Sequence, residues 1–533
     1  MTHSFLASTR RILPHARRFF APSHRFLTFD RLTRFPMVLL LIASASFAQP
    51  PDTLWTRTWN YLTSHEAIDA VRAVPSGGYI ATGSTRYNNI VIQAWTARLD
   101  QDGNEIWLNI EGGDATDGAT YIEPTTDGGF IQCGDTWSYH SGVGFDAFIR
   151  KLDANGEQDW ARVFDSGSIG DLFYAVREVP AGGYIAVGYV GHSKIVRFSA
   201  TGAVLWEWEH PDPLDAPEWV EPTADGGFIV PTEHYNQDVQ TRVFTLYKVS
   251  STGNTLWLDD EAIINLPVQG RADCVRENRD GFLYTSGTLR APGDSTLYDF
   301  YVSKRNPDGS VVWSLLINNP DAGENSFEEA KHLSLLADGN VVAGGSSQSP
   351  TNGFHLWLMK ISSDGEINWL YDQTEGEVSC TDQGRDGSII ASWYPYLPGD
   401  YDSQDLALMK WEPETEIQLE PEVTIIPPQG MTLHYAAAVS NILLDPTPFD
   451  VWATVTTPAG NRLQLQQITV TLQPGGTFYR PSVPLDIPAA APPGEYTYEL
   501  HIGVAPPAIP PGGPNGSRTM GLGSFTFTKL DGR

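Results

Sequence analysis

Short apolar runs recur along the chain at a nearly constant interval, each opened by a glycine turn. The runs read YIATG, FIQCG, YIAVG, FIVP, FLYTSG, VVAGG and SIIAS, and the turns are at Gly77, Gly128, Gly182, Gly226, Gly281, Gly339 and Gly387. Runs this short, rich in β-branched and aromatic residues and bounded by Asp-Gly or Gly-Gly, predict buried strands rather than helices. A second marker lies later in each period, where an extended segment ends in a glycine and a tryptophan follows four residues on. Its copies are ARLDQDGNEIW (97–107), RKLDANGEQDW (150–160), VRFSATGAVLW (196–206), YKVSSTGNTLW (247–257), SKRNPDGSVVW (303–313) and MKISSDGEINW (359–369), with a degraded MKWEPETEIQL (409–419) that carries Leu419 in the tryptophan position.

Two markers repeating every 46 to 56 residues without helical periodicity predict propeller blades. Each period reads as four strands: a before the glycine turn, b after it, c ending near the Lys or Arg, and d beginning at the tryptophan. Seven such blades close a ring, which hides the sheet edges. The first segment, LWTRTWN, is a d strand with no a–c ahead of it, so it competes with the 409–419 copy to complete the last blade. The tryptophan match favours the N-terminal strand. Trp55, Trp107, Trp160, Trp206, Trp257, Trp313 and Trp369 are expected to dock neighbouring blades, each indole burying ~150–250 Å².

On these residues the segment 53–420 resembles secreted bacterial β-propeller proteins with DGG(Y/F)I(V/A)xG and KLDxxGxxxW repeats. The resemblance implies a quinoprotein-like propeller and, in many members, a C-terminal Ig-like domain; it implies no particular ligand. Quinone-cofactor binding is not expected, since tryptophan docking explains the indoles. Beyond 430 the segments LHYAAAVS, FDVWATVTT, RLQLQQITVTLQ, GEYTYELHIGV and SFTFTK alternate apolar and polar residues between Pro/Gly turns, as a half-buried antiparallel sandwich does. The expected class is all-β, a seven-bladed β-propeller followed by an Ig-like β-sandwich. Its domains are 49–420 for the propeller, a stiff Pro-rich linker at 421–430 and the sandwich at 431–533.

Residues 1–36 are Arg-rich and lead into the apolar run Met37–Ala43, with Ser46-Phe47-Ala48 as a small-x-small cleavage site. The run is shorter than the ~20 residues that span a bilayer. Residues 1–48 are therefore expected to be a signal peptide and its basic flank, and the protein to be secreted or at the cell surface, with no membrane span after removal. Hydrophobic residues at 41% supply a core, and Gly 50 with Pro 38 suits dense turns. A net charge of −30 repels phosphate backbones, so nucleic acid is excluded as the main partner. Cys133, Cys274 and Cys380 are an odd number on different blades, and are expected to be small buried apolar residues.

No GxSxG elbow, P-loop or CxxC occurs, and the His65-Glu66 pair lacks the second histidine of a zincin. No catalytic residue is expected. Eleven residues before the turn glycines stand Glu66, Asp117, Asp171, Asp215 and Glu328, with Gly270 and Gly376 in two repeats. Such carboxylates either shape turns by accepting backbone N–H groups or ring one mouth as a Ca²⁺ or electronegative site. Five residues before the glycines, Arg72, Glu123, Arg177, Glu221 and Arg276 alternate in sign, followed by Ser334 and Asp382; exposed pairs of this kind contribute ~0–1 kcal/mol each. The b–c loops carry Tyr87, Trp137, Tyr139, Tyr235, Trp393, Tyr394 and Tyr396, faces on which sugar rings stack. The reading is a non-catalytic binding or adhesion protein for a glycan or protein ligand, with Ca²⁺ as its one candidate ion. The alternative is a polysaccharide lyase or hydrolase.

Overall fold

The computed structural model describes residues 37–41, 50–59, 66–87, 91–139, 144–167, 170–211, 217–236, 241–260, 269–290, 298–318, 327–349, 353–374, 376–395, 406–412, 417–441, 447–473, 477–504 and 518–531. Among them every regular element is a strand. Each period of the sequence folds as one antiparallel sheet. Sheet 1 is Glu66–Ala73, Tyr79–Tyr87, Val91–Leu99 and Glu105–Glu111, and six more follow the same plan as far as Leu406–Trp411. The innermost strands touch in succession, and that of sheet 7 (Gly376–Gln383) touches that of sheet 1, so the seven sheets form a closed circle.

Closure joins the two ends of the circle. Thr53–Trp59 pairs antiparallel with Leu406–Trp411, Trp59 opposite Leu406 and Thr53 opposite Trp411, and becomes the outer strand of sheet 7. Leu419, its competitor, packs instead against the C-terminal core. The apolar run Met37–Leu41 lies parallel to Val311–Asn318 as a fifth strand on sheet 5, where it covers an otherwise open edge.

All seven turn glycines between strands a and b have φ between 80° and 96°, a conformation that glycine adopts without penalty. The glycines of the c–d turns answer a second demand. A Cβ on Gly156 would stand 2.8 Å from Trp107, on Gly202 2.7 Å from Trp160, and on Gly253 2.9 Å from Trp206, each indole coming from the preceding sheet. The Nε1 groups of Trp206 and Trp313 donate to Ser251 O and Ser363 O of that same turn, both at 3.0 Å. The glycine and the tryptophan of the repeat are therefore one joint, shared between consecutive sheets. Gly202→Ala, with φ of 76° and the indole in its way, is expected to cost about 1–3 kcal/mol in urea unfolding.

Residues 417–531 form a separate pair of sheets. One holds Ile417–Pro421, Met431–Ser440 and Thr477–Ile487; the other holds Ile425–Ile426, Arg518–Lys529, Gly494–Val504, Thr447–Thr456 and Arg462–Leu472. A single apolar cluster, with Tyr435, Val439, Phe449, Tyr498, Ile502 and Phe527, draws on both. Within the segment expected as a linker, 421–430, Pro421 pairs with Tyr435 and Ile425–Ile426 pairs parallel with Arg518–Lys529. Pro427 and Pro428 follow the isoleucines, so the segment reads as a spacer although those isoleucines are held in the sheet.

Candidate functional sites in the ring

The carboxylates eleven residues before the turns do not form a ring of free acids. Asp117 accepts from Gly113 N (3.0 Å), Ser138 N (3.3 Å), Ser138 Oγ and Thr136 Oγ1. Asp171 accepts from Ser166 N and Oγ (both 2.7 Å) and from Gly191 N (2.9 Å). Glu328, fully buried, takes Ser347 Oγ at 3.2 Å. Asp117 and Asp171 thus hold loops, whereas Glu328 bonds its register partner on the neighbouring strand. The side chain of Glu66, and Asp215, lie outside the described residues. Asp171 also meets Asp146 and Asp165, one oxygen of each lying within 4.8 Å of the others. Three carboxylates supply part of the six to eight oxygens that Ca²⁺ takes.

The aromatic loop residues divide. Trp393 is buried in an apolar cluster and is removed from any contact face. Tyr394 donates to Asp69 Oδ1 at 2.7 Å, and Tyr235 is half-buried. Trp137 and Tyr139 remain 44% and 66% exposed, Trp137 stacked on Phe145. Tyr87's side chain and Tyr396 lie outside the described residues. Tyr139 stands at a cleft of about 540 Å³ between sheets 1 and 2. Ile110, Ala161 and Val163 give it apolar walls, and Glu111, Asp117, Arg150 and Gln158 give it polar ones. Arg150 pairs with Glu111 and Gln132, yet its Nη2 has no hydrogen-bond partner among the described residues. Burial lowers its pKa to about 10.

The axis of the ring holds a second constellation. The alternating charges five residues before the turns are not exposed pairs, as expected from sequence, but a buried network. Arg177 pairs with Glu123 and Glu221, Arg276 with Glu221 at 3.4 Å, and Arg72 with Asp382 at 3.4 Å. The reason is Trp219. Its ring lies 4.3 Å from the Arg276 guanidinium, 5.3 Å from that of Arg177, 5.1 Å from Tyr121 and 5.2 Å from His332, and so bridges four sheets across the axis. Water is shut out, and burial together with Arg276, Arg72 and Arg177 holds the His332 pKa well below its usual value. Cys133, Cys274 and Cys380 are free thiols buried in this wall.

Next to this floor lies a mixed cluster. Arg271 reaches Asp273 (2.5 Å), Glu329 (2.5 Å) and Glu218 (3.4 Å), and Lys331 pairs with Glu377. Burial pushes Asp69 up to about 6 against the pull of Tyr394 and Lys331. Burial, then Asp117 and Asp69, push Asp135 up to about 7. Sequence reasoning missed this group because its register mixes Asp69, Glu218, Asp273 and Lys331 with Thr120, Tyr174 and Ser379. The signal was the opposite one: ionisable residues eight positions before the turn glycine in some repeats and not in others.

No protein-family model and no curated protein matches the sequence. Among solved structures, the β-propeller domain of the Trilobed protease from Pyrococcus furiosus is 10% identical with a TM-score of 0.42, over 66% of this chain and 93% of that one. A protein of unknown function from Bacteroides caccae is 13% identical with a TM-score of 0.32, over 47% and 81%. The acylaminoacyl peptidase of Pyrococcus horikoshii is 9% identical with a TM-score of 0.36, over 73% and 59%. At these scores the likenesses carry no argument; the strand pairing described above does.

Proposed function

We propose that the chain is an exported, non-catalytic binding protein, a seven-bladed propeller followed by an Ig-like sandwich, and that it recognises a glycan in the cleft between sheets 1 and 2. The carrying observation is the cleft itself, where an exposed tyrosine face, apolar walls and a buried guanidinium with a spare donor converge. A sugar ring needs that combination, an apolar face to stack on and fixed polar groups for its hydroxyls. The two cleft carboxylates are already committed, Glu111 to Arg150 and Asp117 to its loop, which favours binding over acid–base cleavage. Export follows from residues 1–48, and cleavage after Ala48 would leave sheet 5 with four strands like the rest.

The test is a glycan array of the chain from Gln49 onward, with and without Ca²⁺. Binding without product release is expected, and Tyr139→Ala, an exposed change, should weaken it ~10-fold by calorimetry without moving the melting temperature. Cleaved oligosaccharide in the assay would replace this reading with the polysaccharide-enzyme one. Loss of binding in chelator would assign the Ca²⁺ to Asp146, Asp165 and Asp171.

A further inference from the structure

The three nitrogens of Arg150 meet different fates. Nε donates to Gln132 Oε1, and Nη1 pairs with Glu111. Gln132 is itself fixed, since its Nε2 donates to Thr82 Oγ1 at 2.5 Å and to Thr96 Oγ1 at 2.8 Å. The guanidinium plane is therefore set by two partners before any ligand arrives, and Nη2 is left with no acceptor among the described residues. Arg150 is only 8% exposed, yet it lines the cleft between sheets 1 and 2. A buried charged donor without an acceptor is costly, and a ligand that supplies the acceptor removes that cost.

The surroundings select the kind of acceptor. Among the described residues lining the cleft, the acids Glu111 and Asp117 stand against the single base Arg150, and the whole chain carries −30. A carboxylated or sulfated ligand would meet repulsion on approach and at contact, so the acceptor is a neutral oxygen. Apolar surface adjoins the guanidinium: its Cζ stands 5.5 Å from the Phe148 ring centre, and Phe148 packs with Ala94 and Ala119. Phe148 and Ala94 both line the cleft. A hydroxyl would satisfy Nη2 but gain nothing from that patch, whereas a carbonyl with a methyl group beside it uses both. Glu111 pairs with Arg150 through Oε2, and its 29% exposed side chain offers Oε1 to an N–H donor. Resting on the glycan reading above, we infer that the cleft selects sugars bearing an N-acetyl group. The acetamido carbonyl accepts from Arg150 Nη2, its N–H donates to Glu111, and its methyl lies against Phe148 and Ala94. Asp117 takes no part, since Gly113 N, Ser138 and Thr136 Oγ1 already donate to it. Tyr139 then serves any sugar ring, and Arg150 only those with an acetamido oxygen.

The experiment is calorimetric titration of the full chain with the N-acetylglucosamine β-1,4 trisaccharide and with cellotriose, which has the same backbone and hydroxyls in place of the acetamido groups. The deacetylated amine trisaccharide and trigalacturonate test the two charges, and N-acetylgalactosamine against galactose is a second neutral pair. Each N-acetyl sugar is expected to bind at least ~10-fold more tightly than its hydroxyl counterpart, for one added hydrogen bond to a charged donor. The amine and the uronate are expected to bind more weakly than the N-acetyl trisaccharide. Arg150→Lys keeps a positive charge beside Glu111 but gives up the third donor nitrogen, and should bind the N-acetyl trisaccharide and cellotriose alike. Tyr139→Ala should weaken both by the same factor. Hydroxyl, amine or uronate sugars that bind as tightly as the N-acetyl ones, or a full preference retained in Arg150→Lys, would overturn this inference and leave the glycan reading standing. A glycan array without any binder removes both. Should Arg150→Lys fail to fold, the comparison of ligands on the unaltered chain decides alone.

Discussion

A chain lacking Thr53–Trp59 is expected to lose about 5 kcal/mol or more of stability and to associate through the strand it leaves bare. Three effects add. The backbone of Leu406–Trp411 loses its partner along six paired positions and becomes an open edge. Trp55 leaves the joint where it meets Gly103 and Tyr79, and Trp59 leaves the main apolar core. Truncating one buried tryptophan typically costs about 3–5 kcal/mol, and two half-buried ones leave here. Urea unfolding followed by tryptophan fluorescence measures the loss, and size-exclusion chromatography the association. A synthetic peptide spanning residues 50–60 should restore the monomer. A deletion variant that unfolds at the original urea midpoint would show that sheet 7 is complete without its seventh-period partner from the N-terminus.

The second large effect lies at the axis. Trp219→Ala is expected to cost about 3–5 kcal/mol, because the indole covers two guanidinium groups and touches four sheets. It has a readout beyond stability. His332 is held neutral by burial and by Arg276, Arg72 and Arg177; with water admitted, its titration by NMR should move up toward the ordinary ~6.5. Trp219→Phe, which keeps an aromatic face over the arginines, should retain most of the stability and leave His332 silent. A histidine that titrates identically in all three proteins would place the solvent barrier elsewhere.

Much of the fold was legible because its determinants are local and repeated. The Asp-Gly and Gly-Gly turns encode positive φ at one position per period, and the c–d glycine and the tryptophan encode one joint per period. The segment LWTRTWN could be placed because it is a d strand without its a–c partners. The boundary at 421–430 was harder to read, since Pro-rich composition hides two short pairings that only distant strands supply. The candidate sites divided along the same line. Acids that recur eleven residues before the turn are repeated because loop geometry demands them, and Asp117 and Asp171 are consumed in meeting that demand. Asp69, Glu218, Asp273 and Lys331 share a register with Thr120, Tyr174 and Ser379 and mix acid with base, so a search for likeness passes over them. Alternating charges suggested solvated pairs; nothing in their spacing reveals that Trp219, at a register where the other repeats carry Ala, Tyr, Cys or His, seals them from water.

The composite outer strand of sheet 7 also sets a clock on synthesis. Thr53–Trp59 leaves the ribosome first but cannot pair until Leu406–Trp411 has emerged, some 350 residues later, which at ~5–20 residues per second means a delay of about 20–70 s. Through that interval six sheets can assemble while the circle stays unlatched. The nascent chain thus remains threadable until Leu406–Trp411 has emerged, and locks only then.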